Sequence, residues 1–193
     1  MSSSSSAMPL RTPLSADRRL ARLRRLSGWM AVACMGVALV LPLTMTAYWL
    51  ATPSSTVFAA AGLARVPPMD LSLGVRVLGL ALAMIPLGAL VYGLLNARQC
   101  FADLAAGHIF RPATIARLRA FAMGVAASAL LKPFAGAALS VLLSWHGAPG
   151  EKSLVLTVGS DTVIGLLFAG TVAVMAWVMG EAMALSEETE QFV

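Results

Sequence analysis

Charge is what this sequence has least of. Only 12% of its 193 residues are Asp, Glu, Lys or Arg, 59% are hydrophobic and mean hydropathy is +0.81, whereas a soluble domain carries about 25% charged residues. Too little polar surface exists to wrap a water-soluble core. Histidine is scarce as well: His108 and His146 are the only two, and no Cys/His set has metal-ligand spacing. A glycine-rich phosphate loop is missing. A serine or cysteine nucleophile needs a base at its own depth, and the apolar runs contain no histidine. The expectation is a non-enzymatic chain without a cofactor or metal. Cys34 lies in the first apolar run and Cys100 in a basic connecting segment, an arrangement that argues against a structural disulfide.

What remains is long apolar sequence. A helix crosses a hydrocarbon core about 30 Å thick with roughly 20 apolar residues, and four stretches qualify, over about 28–50, 71–95, 120–145 and 160–180. The fourth can start at Leu154 or at Thr162. The fold class is therefore an all-α integral membrane protein, a bundle of four transmembrane helices in one domain over 16–193. The first run is longer than the roughly 7–15 residues of a signal peptide's apolar region, so it reads as a retained helix. Residues 1–15 form a serine-rich, proline-containing leader expected to be disordered. From Ala16 to Ser27, arginines alternate with Leu20, Leu23 and Leu26, the pattern of a basic helix lying on a membrane surface.

Orientation follows from the positive-inside bias. Six arginines precede the first span and four (Arg98, Arg111, Arg117, Arg119) lie between the second and third, against Arg65, Arg76 and Lys152 on the other side. Both termini are thus expected in the cytoplasm. Trp29, Tyr48, Trp49, Tyr92, Trp145 and Trp177 fall near span ends, as interfacial aromatics do. The net charge of +5 comes from arginines beside membrane segments, which points to anionic lipid at Arg18–Arg25 and not to direct nucleic-acid binding. The tetrapeptide Ala21 to Arg24 recurs at Ala116 to Arg119, a likeness that the same charge bias produces.

Between the second and third spans, Cys100, Phe101 and Leu104 make an apolar stripe that predicts a short cytoplasmic interfacial helix. Gly107 is suited to end it, Pro112 to open the next, and Phe110 to dip toward lipid. Lys132 is the most informative position. It stands 13 residues from both Arg119 and Trp145, near mid-bilayer, where a lysine costs roughly 2.5–3.5 kcal/mol and calls for a partner. Pro133 beside it frees a backbone carbonyl. If the fourth helix starts at Thr162, Asp161 is about 15 Å away in height and out of reach; if it starts at Leu154, the two can approach. Depth matches Arg76 to Asp161 better, leaving Thr171 as a neutral partner for Lys132. Small residues at spacing four (Gly124 and Ser128, Gly136 and Ser140, Ala169 and Ala173) suit close helix approach.

The segment Cys100-Phe101-Ala102-Asp103-Leu104-Ala105-Ala106-Gly107-His108-Ile109-Phe110, with Leu118-Arg119 and the ending Gly180 to Val193, resembles the bacterial family known as domain of unknown function 2975. Its members are small four-helix membrane proteins with a Phe-x-x-Leu-x-x-Gly-x-x-Phe-like turn after the second helix and a closing acidic stretch ending in valine. The likeness spans roughly Leu71 to Val193. It implies a bacterial cytoplasmic (inner) membrane location and a small helix-turn-helix regulator as a partner, and it supplies no catalytic residues.

Two functions fit. One is a membrane regulator or sensor acting through a cytoplasmic surface formed by Gly107, Phe110, Glu187, Glu188 and Glu190, with the leader only anchoring. The other is a small transporter or channel built around Lys132 and Asp161, which with so few spans needs a homo-oligomer.

Overall fold

A computed structural model describes residues 13–60, 71–107, 111–145 and 158–190. Those residues form five helices: α1 (Pro13–Ala51), α2 (Ser54–Ala60), α3 (Leu73–Ala105), α4 (Pro112–Trp145) and α5 (Ser160–Glu190). All but α2 are long and apolar enough to cross a membrane. Most of their surface is apolar and turned outward, as at Leu43, Phe134 and Leu167, which suits lipid-facing helices. Among the described residues every extensive helix contact joins consecutive membrane-length helices: α1 packs on α3, α3 on α4, and α4 on α5.

The helices outrun the apolar stretches that predict them. α1 includes the basic segment expected to lie separately on the membrane surface, because nothing between Ala16 and Gly28 stops a helix. A lone glycine costs only about 1 kcal/mol relative to alanine. Likewise Cys100 to Leu104 is no separate interfacial helix but the last turns of α3. That helix ends where expected, with Gly107 at φ 88°. The Ala106 N–H donates to the Ala102 carbonyl and the Gly107 N–H to the Leu104 carbonyl. Pro112 then opens α4.

Close packing depends on small residues. The backbones of α3 and α4 meet at Gly93 and Gly124, where a Cβ on Gly124 would lie 2.7 Å from the Gly93 Cα. α5 turns Thr162, Ala169 and Ala176 inward, all at most 6% exposed. A Cβ on its Gly165 would sit 3.4 Å from that of Ala129. Larger side chains fill the end of the bundle opposite the Gly107 corner, where Trp49, Val57, Phe58, Val75 and Leu143 form the buried core. The short helix α2, which hydropathy alone reads as loop, supplies Val57 and Phe58 to it.

Candidate functional site

Two ion pairs occur among the described residues, and they lie in different layers of the bundle. Asp103 near the end of α3 pairs with Arg117 in α4, across the Gly107 corner. Arg24 of α1 reaches the same corner, with its Nη2 2.8 Å from where a Gly107 Cβ would stand. The C-terminal end of a helix carries partial negative charge, so a guanidinium beside it is favourably placed. Three helices thus meet at one end.

The second pair is Lys132 with Asp161. Depth counting favours Arg76 as the carboxylate's partner, and the structure corrects this. Arg76 donates from Nη1 to the carbonyls of Trp49 and Thr52, each at 2.9 Å, and from Nη2 to Ser54 Oγ at 3.3 Å. It closes the C-terminal end of α1 and is spent there. Ser54 Oγ also accepts from the Leu71 N–H at 3.3 Å. Thr171, the neutral candidate, donates to the Leu167 carbonyl of its own helix at 2.8 Å. Asp161 reaches Lys132 although α5 starts at Ser160, because α5 is displaced along α4. Its Gly165 seats on Ala129, which brings the first turn of α5 level with the middle of α4.

The same contacts fix the heights of the other helices. Trp49 covers Gly79, and Gly93 meets Gly124. Seven residues back from Trp49 is Pro42, and seven on from Gly79 is Pro86. Seven back from Gly93 returns to Pro86, while seven on from Gly124 is Leu131, beside Lys132 and Pro133. The internal prolines of α1, α3 and α4 therefore lie within about one helical turn of the Lys132–Asp161 layer. Each proline withholds the N–H that would bond the carbonyl four residues earlier. Near the first, Thr44 Oγ1 donates to the Val40 and Leu41 carbonyls and Thr46 Oγ1 to that of Pro42.

Between this layer and the aromatic end is a cavity of about 540 Å³. Its lining includes Met45, Tyr48 and Trp49 of α1, Pro86 and Leu87 of α3, and Lys132 of α4. Sequence reasoning places Trp49 at the membrane interface as an aromatic anchor, whereas it is 1% exposed. Its indole Nε1 is buried without a hydrogen-bond partner among the described residues. No signal in the sequence distinguishes Trp49 from its interfacial neighbour Tyr48. Gly136 also lines the cavity, so of its spacing-four pair only Ser140, fully buried, is packed.

The proposed partner surface is described in part. Gly107 forms the corner, Phe110 lies outside the described residues, and the side chains of Glu187, Glu188 and Glu190 do too, although their backbone is helical in α5. Among the described residues no group of three or more His, Cys, Asp or Glu could hold a metal.

Four membrane-length helices with an apolar exterior define a multi-pass membrane protein. Residues 60–193 match the family described as protein of unknown function (DUF2975), and the chain belongs to that family. The match takes in α3, α4 and α5 and leaves α1 outside. Comparison with curated proteins finds no match, and comparison with solved structures finds none.

Proposed function

We propose that this chain is a non-enzymatic regulator of a bacterial inner membrane that engages a cytoplasmic protein through the end of the bundle bearing the Gly107 corner. The observation that carries this reading is the joining of α1, α3 and α4 at that end, by Arg24 against Gly107 and by Asp103 with Arg117. A fixed surface of this kind suits protein recognition better than a floppy connection does. The arginine excess supports a cytoplasmic position for it and for both termini. There α5 continues as a helix to Glu190, presenting an acidic extension that anionic lipid repels and a basic partner attracts. A helix-turn-helix regulator fits that partner, and the arginines from Arg18 to Arg25 hold α1 to anionic lipid. Truncation after Ser186 tests the reading. Membrane insertion should persist while co-purification with such a regulator is lost; retention of the regulator overturns the proposal.

A second reading, an oligomeric transporter or channel, is favoured by one observation, the Lys132–Asp161 pair at mid-height. A flux through liposomes that disappears in Lys132→Ala would support it.

A further inference from the structure

The cavity beside Lys132 has the make-up of a ligand site, and neither the family nor the docking reading assigns it one. We propose that it binds a long-chain carboxylic acid, with the acyl chain along Met45, Leu87, Leu90 and Leu139 and the carboxylate at the Lys132 ammonium.

Three properties lead to this chemistry. At about 540 Å³ the space falls within the roughly 300–1,000 Å³ of small-molecule sites. Its walls are mostly aliphatic, which selects an apolar body. Among the described residues Lys132 is the only charged one that lines it, accompanied by the hydroxyl-bearing Tyr48 and Ser128. One ammonium and a few neutral donors suit a carboxylate; phosphodiesters are more often held by arginine forks or clusters of cations.

Charge balance further narrows the form in which the ligand arrives. Lys132 already pairs with Asp161, so the layer is neutral, and adding an anion at this depth would leave an unpaired charge in hydrocarbon. A carboxylic acid enters from the bilayer in its neutral form. As its carboxylate takes the Lys132 ammonium, its proton passes to an Asp161 oxygen released from that ammonium. Protons and net charge are conserved, and no further reactant is needed. Asp161 is thus a competitor for Lys132 when ionised and the proton acceptor when ligand is bound.

The test is equilibrium binding of radiolabelled palmitic acid to the full chain in phosphatidylcholine nanodiscs, with palmitic acid methyl ester and phosphatidylglycerol as competitors. Saturable binding should weaken by about tenfold or more in Lys132→Met, the scale of one lost charge-assisted hydrogen bond. It should tighten in Asp161→Asn, where the ammonium has no competing carboxylate and the ligand binds as the carboxylate with its proton left in water, so that the layer is neutral only when the ligand is bound. A gain of affinity cannot come from misfolding, so this second variant decides the matter if Lys132→Met does not fold. The methyl ester should compete poorly because it lacks the acidic proton. The proposal is overturned if Lys132→Met binds like the unaltered protein, if Asp161→Asn does not tighten binding, or if the ester competes as well as the acid. Displacement by phosphatidylglycerol at equal mole fraction also overturns it, by showing that the site takes a bilayer phospholipid.

Discussion

Trp49 occupies the space that any side chain on Gly79 would need: a Cβ added there would overlap the six-membered ring of the indole. The contact fixes the height of α1 against α3, and with it the alignment of Pro42 with Pro86. Because backbone hydrogens alone allow the ring to lie so close, Gly79→Ala should force a shift of Trp49 and cost about 1–3 kcal/mol, the usual penalty of overpacking. Unfolding in mixed detergent micelles reads this directly. The same substitution at Gly136, inside α4 where a Cβ meets nothing within 4 Å, should not destabilise and should raise the midpoint slightly, by up to about 1 kcal/mol of helix propensity.

The partners of the intramembrane charges can be separated by double-mutant cycles. Arg76 bonds carbonyls of α1 while Asp161 bonds Lys132, so Arg76→Ala and Asp161→Asn should destabilise additively, within about 0.3–0.5 kcal/mol. Lys132→Met and Asp161→Asn should couple instead. Each single change leaves the other group without its partner, and the double variant should be more stable than the sum of the two predicts. Coupling between Arg76 and Asp161 would contradict the observed pairing.

Gly107 meets two demands, a left-handed φ of 88° and room for Arg24. Gly107→Ala should cost about 1–2 kcal/mol from conformation alone and also displace the guanidinium. In combination with Arg24→Ala, only the conformational part should remain. Measuring the unfolding midpoints of the three variants separates the two contributions.

Both ends of the chain should lie in the cytoplasm. Reporter fusions after Gly107 and Val193 are expected to read cytoplasmic, and fusions near Pro67 and Gly147 external. A cytoplasmic signal at Gly147 would contradict the four-span topology.

Hydropathy makes the four spans legible because apolar length is a local property of sequence. The ends of the helices are less legible. A run of arginines lowers hydropathy without breaking a helix, so the segment expected to lie separately on the membrane continues into α1. α2 escapes notice because its seven residues carry too short a pattern, although Val57 and Phe58 prove to be core. Gly107 and Pro112 are read correctly because their constraints are intrinsic to glycine and proline. Lys132 stands out by its depth, but its partner does not. Choosing Asp161 over Arg76 depends on how far α5 slides along α4, and that is set by the seating of Gly165 on Ala129, a contact between distant residues.

The common height of Pro42, Pro86 and Pro133 makes the stiffness of the bundle uneven along its length. Above that layer, Arg76, α2 and the Trp49 core brace the helices against one another. Below it they are braced by Gly93 on Gly124, by Asp103 with Arg117 and by Arg24 at the corner. At the layer itself each of three backbones lacks one helix hydrogen bond, which makes it the place where bending of the bundle is expected. A molecule lodged beside Lys132 would sit at that waist, where a small wedge swings a long lever.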